Sequence, residues 1–158
     1  MLSKVSPKDV FLHLLVIIAL YASAVGLLVL LFQYVNLAFP DPALEGATYT
    51  REGYFSSIRF SVSSLVVVFP VFLFTSWFLN KGYNRTPSKR NLKIRKWLVY
   101  FTIFAAALVI IGDLITLIYN FLGGELTVRF ILKVLAVFFV AGSIFTYYFW
   151  DVRKYKTE

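Results

Sequence analysis

Four apolar runs, each long enough to cross a bilayer, constrain this chain more than any other feature of its sequence. A hydrocarbon core of about 30 Å needs roughly 20 apolar residues at a helical rise of 1.5 Å per residue. Residues 10–37 meet that need, interrupted only by His13, Ser23, Gln33 and Asn36. Residues 58–79 meet it with Arg59 at the start and Pro70 in the middle, and 97–122 with one acid, Asp113. The fourth run, 128–150, carries Arg129 and Lys133 near its beginning. Backbone polar groups in lipid must be satisfied within the segment, so the runs read as helices. Strands would alternate polar and apolar residues, and these runs do not. The expected fold is an all-α membrane protein of one domain, 1–158, with four transmembrane helices in two antiparallel hairpins.

Composition narrows the function classes. Only 15% of the 158 residues are charged, against about 25% in an ordinary soluble protein. Mean hydropathy is +0.77. That balance excludes a disordered chain, a coiled coil and most small cytosolic enzymes. With no cysteine there is no disulfide scaffold, thiol nucleophile or thiolate metal site. A lone histidine, His13, removes the usual zinc and Ser-His-Asp sets. A lipid-modifying enzyme would need a nucleophile, base or metal cage near the interface, and only Asp113, Lys133 and tyrosines offer themselves. No enzyme, metal or cofactor is expected.

The basic residues set the expected orientation. Lys4 and Lys8 precede the first run, Lys81, Arg85, Lys89, Arg90, Lys93, Arg95 and Lys96 fill the connection 80–96, and Arg153, Lys154 and Lys156 end the chain. The opposite loops hold only Arg51, beside Asp41, Glu45, Glu52 and Glu125. The positive-inside rule then places both termini in the cytoplasm. The first run resembles a signal peptide, with Lys4 and Lys8 as a basic start and Ala22-Ser23-Ala24 as a small-residue cleavage site. It continues apolar through Val25–Phe32, so a retained signal-anchor helix is expected. The net charge of +8 sits at membrane edges, where anionic lipid headgroups account for it, and no nucleic-acid partner is expected.

The first outer loop, about 38–57, contains Pro40-Asp41-Pro42, Gly46 and Gly53, with Tyr49, Tyr54 and Phe55 suited to the interface. Gly123-Gly124 before Glu125 predicts a tight turn that makes the third and fourth helices antiparallel neighbours. Small residues recur at helical spacing: Ala19, Ala22, Ser23 and Gly26; Ser57, Ser61 and Ser64; Gly142 and Ser143. They serve either close helix packing or a pore lining. Pro70 predicts a kink, because it removes a backbone donor in mid-span.

Charges inside a span are costly, and each is a functional candidate. Asp113 lies nine residues before Leu122, and Lys133 nine after Gly124, so the hairpin brings acid and base to one depth. Asp113, Thr116 and Asn120 share a helix face, as do Arg129 and Lys133, with Glu125 a turn above Arg129. Arg59 enters the same half from the second helix. The expectation is an Asp113–Lys133 pair within this cluster. The cluster is either an ion-pair network that pins the third and fourth helices or a polar site for an ion or small solute. His13, near Asp9 at the basic end, reads as an interfacial histidine. A voltage sensor fits poorly, since the fourth helix holds two positives four apart rather than a run at every third position.

Three stretches carry a resemblance: Ser6-Pro7-Lys8-Asp9-Val10-Phe11-Leu12-His13, Val68-Phe69-Pro70-Val71, and the long segment from Gly112-Asp113-Leu114 through Asn120-Phe121-Leu122-Gly123-Gly124-Glu125-Leu126-Thr127. Together the chain resembles an uncharacterised family of small bacterial four-helix membrane proteins, frequent in reduced-genome lineages of uncultured bacteria. The resemblance implies a bacterial origin and a four-span fold, and it brings no activity or catalytic residues with it. Two functions are therefore weighed on the site: a homo-oligomeric channel or transporter-like protein of the inner membrane, and a non-transporting scaffold or accessory subunit.

Overall fold

The structure, a computed structural model, describes residues 5–40 and 48–155. Lys4, Asp41, Pro42, Glu45, Gly46 and Lys156 lie outside the described residues. Four helices account for nearly all of the rest: α1 (Pro7–Ala38), α2 (Thr48–Arg85), α3 (Lys93–Leu122) and α4 (Val128–Tyr155). Each is long and apolar enough to cross a membrane.

Local sequence explains where the helices start and stop. Ser6 caps α1 in a reciprocal box: its Oγ accepts from the Asp9 amide at 3.2 Å, and Asp9 Oδ2 accepts from the Ser6 amide at 3.4 Å. Pro7 follows at the first helical position, where its missing N–H costs nothing. Such a cap stabilises a helix by about 1 kcal/mol. α2 runs as one helix from Thr48 through Pro70 to Arg85, beyond the 58–79 span at both ends, so Gly53, Tyr54 and Phe55 belong to the helix rather than to the expected outer loop at 38–57. The expected loop at 80–96 is correspondingly short: a 3-10 turn at Pro87–Asn91, then Leu92 leading into α3. Pro87 disfavours helical backbone at Thr86, which ends α2. Between α3 and α4, Gly124 adopts φ +75°, a left-handed conformation that glycine enters without strain. The Gly124 amide donates to Phe121 O at 3.1 Å and the Glu125 amide to Asn120 O at 3.0 Å, closing the tight turn. Thr127 then caps α4 by accepting from the Phe130 amide at 3.1 Å.

Helix α1 is the centre of the packing. It lies against α2 along much of its length and also touches α3 and α4, which pair with each other. Ala19, Ser23 and Gly26 are buried on α1, and Ser61 on α2 is 1% exposed. A Cβ at Gly26 would stand 3.4 Å from Leu65 Cγ, so the small residues of α1 and α2 serve close backbone approach. Ala22 and Ser143 are exposed and take no part in it.

On α3 the buried residues are Arg95, Val99, Thr102 and Ala106, spaced four, three and four apart on one face. All lie in the half nearest the basic end. Beyond Ala106 the helix stands off the core, with Ile115 63%, Tyr119 77% and Leu122 78% exposed. In water these would be a large apolar patch; in a bilayer they are a lipid face.

Candidate functional site

The charges of the outer half do not assemble as their depths imply. Asp113 and Lys133 form no ion pair, which corrects the expected link across the α3–α4 hairpin. Lys133 instead holds its ammonium 5.6 Å from the centroid of the Phe32 ring on α1. Arg129 donates to Asn36 Oδ1 through Nε at 3.0 Å and Nη2 at 2.6 Å, and Asn36 Nδ2 donates to Gln33 Oε1 at 3.1 Å. The reason is rotational. Arg129 and Lys133 sit one turn apart on α4, while Asn36 and Phe32 sit one turn apart on antiparallel α1, so the two pairs meet as rungs. The glycine turn fixes the depth of α3 relative to α4 but not the angle of either about its axis.

Asp113 faces elsewhere. Its Oδ2 is buried and has no hydrogen-bond partner among the described residues. The other polar residues of its face bond their own helix: Thr116 Oγ1 donates to Gly112 O at 2.8 Å, and Asn120 Nδ2 to Thr116 O at 2.9 Å. Arg59 is exposed on α2 and Glu125 is exposed in the turn, and neither pairs with Asp113. The three-helix cluster is thus divided: two cations turn to α1, one faces out from α2, and the acid stays on the uncovered half of α3.

The connected polar network lies at the basic end. His13 is 3% exposed, which corrects the interfacial reading. Its Nδ1 lies 2.6 Å from Asp9 O and its Nε2 2.5 Å from the Tyr83 hydroxyl. A carbonyl only accepts, so in the neutral ring Nδ1 carries the proton and Nε2 accepts from Tyr83. Arg95, 7% exposed, donates to Asp151 Oδ2 at 2.5 Å and to Arg90 O at 3.1 Å. The guanidinium groups of Arg95 and Arg90 lie 5.3 Å and 5.4 Å from the Tyr83 ring centroid. One chain of contacts therefore runs from α1 (His13) to α2 (Tyr83), α3 (Arg95) and α4 (Asp151). A cavity of about 80 Å³ beside it is lined by His13, Ser76, Asn80, Tyr83, Arg95 and Asp151, among others, and has room for several water molecules.

Sequence reasoning missed this network. Arg95 was legible only as a topology charge and Tyr83 as a loop residue; at the opposite end Gln33 and Asn36, the partners of Arg129, were legible only as interruptions of an apolar run. A signal for one link existed. Arg95 precedes Gly124 by 29 residues and Asp151 follows it by 27, so the hairpin levels this pair as well as it levels Asp113 and Lys133. Both sit within a turn or two of a helix end, where charge is ordinary and draws no attention.

The architecture defines an all-α protein of four helices, each able to span a bilayer, held at one end by a buried polar chain. A match over residues 9–148 places it further: the chain belongs to the family described as a domain of unknown function (DUF5671). None of the curated proteins and none of the solved structures compared with it matches.

Proposed function

We propose that the chain is a small homo-oligomeric protein of the bacterial inner membrane that binds or passes an ion or small solute at a polar seam between copies. The observation that carries this reading is Asp113: its Oδ2 is buried without a hydrogen-bond partner among the described residues, while the residue as a whole is only half-buried, on the half of α3 that its own bundle leaves uncovered. Such a group is costly in hydrocarbon and is retained where another chain or a water-lined path meets it. A seam between symmetric copies also suits a chain whose small-residue stripes of α1 and α2 are spent on internal packing.

The test pairs assembly with flux. Mass measurement in nanodiscs should show an oligomer, and Asp113→Asn should lower ion or solute flux in liposomes by about tenfold, equivalent to 1.4 kcal/mol. A monomer alone, or flux unchanged by the substitution, overturns the reading. Sidedness has its own test. With its basic residues concentrated at the end bearing both termini, a reporter fused after Glu158 should read as cytoplasmic and one placed in the Gly123-Gly124 turn as periplasmic.

One set of contacts favours the second reading, a non-transporting scaffold or accessory subunit. Arg95 is taken up by Asp151, and Arg129 and Lys133 by α1, which is how charges are used when they hold helices together. Under this reading Asp113→Asn changes assembly or stability while no flux exists to lose.

A further inference from the structure

The cleft between α1 and α2 at the basic end joins two cavities beside the polar network, the first of which has His13 and Tyr83 in its wall. A cavity of about 260 Å³ is ringed by Lys8, Lys81, Arg85 and Lys89, with Asp9 as the acid among its lining residues. That acid is already engaged, by the Ser6 hydroxyl at 2.9 Å and by Lys89 at 3.5 Å. A second cavity, of about 510 Å³, shares Lys8, Leu12 and Phe78 with the first and continues along the helices past Phe74 and Leu15 to Pro70. Apart from Lys8 at its mouth, its lining is almost wholly apolar. From Phe78 to Pro70 it runs eight residues, about 12 Å at the helical rise, most of one leaflet's depth in a core of about 30 Å. Lys8 lies 5.2 Å from the Phe78 ring centroid and Lys81 5.0 Å from that of Trp77, so aromatic faces hold both ammonium groups beside the cleft.

We infer that this cleft binds one anionic phospholipid, its phosphate among Lys8, Lys81 and Arg85 and one acyl chain in the groove between α1 and α2. Charge complementarity chooses the occupant. A zwitterionic lipid would bring a quaternary ammonium beside Lys8, Lys81 and Arg85, with Lys89 already paired to Asp9, whereas an anionic headgroup brings a net negative charge. The acyl groove distinguishes a lipid from free phosphate, which would have no use for it. The inference stands apart from the proposed transport reading, since Asp113 lies on another helix at the far end.

The experiment is lipid binding by native mass spectrometry, on purified protein titrated with phosphatidylglycerol or phosphatidylcholine of the same acyl chains. Near an anionic surface each basic residue is worth about fivefold in affinity. Wild type should prefer phosphatidylglycerol, and the triple variant Lys8→Gln, Lys81→Gln, Arg85→Gln should lose on the order of a hundredfold of that preference. Val71→Trp, which fills the groove from an exposed position, should weaken both lipids alike. All four positions are surface residues, and unchanged helicity by circular dichroism confirms folding. Equal binding of the two lipids, or a preference that survives the triple variant, overturns the proposal. Displacement of the lipid by inorganic phosphate at equal concentration, or binding untouched by Val71→Trp, shows a simple anion site and overturns it too.

Discussion

Asp151→Asn will destabilise the folded protein by about 3–5 kcal/mol, the range measured when one member of a buried ion pair is removed. Arg95 is 7% exposed and its guanidinium is aimed at Asp151 Oδ2, so the variant strands a cation that water reaches poorly. The loss is mostly the cost of that stranded charge rather than the worth of the pair. Replacing both residues, Arg95→Met with Asp151→Leu, should therefore recover most of the stability. Thermal unfolding of the four variants in one detergent, read as a double-mutant cycle, checks both statements. A single variant within about 1 kcal/mol of wild type would show that the pair is solvated and ordinary. The neighbouring pair supplies the comparison. Lys89 is 39% exposed and lies 3.5 Å from Asp9, so Lys89→Ala should cost no more than about 1 kcal/mol.

Arg95 and Asp151 pair while Asp113 and Lys133, equally level, do not, and the difference bears on what a sequence of this kind discloses. Hydropathy over some 20 residues is a property that sums along the chain, so the four helices and the glycine turn between α3 and α4 were legible. Depth was legible too, because helical rise and a tight turn convert residue number into height. Azimuth was not. Depth arithmetic levels Lys133 with Asp113 and Arg95 with Asp151, yet only the second pair forms. Which of them closes depends on the rotation of each helix about its axis, and that is set by packing against α1. Periodicity is a weak guide to that rotation when a helix is apolar on all sides, since lipid-facing and protein-facing residues are then of one kind. The polar residues of α1 were the better guide. His13 and Asn36 are both buried, and each faces a functional group of another helix, Tyr83 and Arg129. Read as interruptions of a span they looked incidental; read as obligatory hydrogen-bonding groups in lipid, they mark the faces on which α1 meets its neighbours. Asp113, whose Oδ2 has no hydrogen-bond partner among the described residues, is the acid of the expected site that packing against α1 does not take up.

Asn36→Leu tests that reading of α1 and should cost about 1.5–3 kcal/mol, the range for a hydrogen bond to a charged group. Neutral side-chain hydrogen bonds inside membrane proteins average only about 0.6 kcal/mol, because alternative partners are found once the native one is lost. The Tyr21–Thr102 bond at 2.7 Å belongs to that weaker class, and Thr102 also donates to Leu98 O at 2.8 Å on its own helix. Arg129 differs in kind: two of its nitrogens converge on one oxygen, and its charge cannot be removed by deprotonation. A cycle of Asn36→Leu with Arg129→Leu should return a coupling several times that of Tyr21→Phe with Thr102→Val, measured by unfolding in the same detergent. Equal couplings would mean that the guanidinium reaches water or headgroups as readily as Asn36, and that α4 is not oriented by this contact. A larger coupling fixes the azimuth of α4. It follows from that orientation that Lys133, one turn below on the same face, is committed to α1 and Phe32 rather than to Asp113.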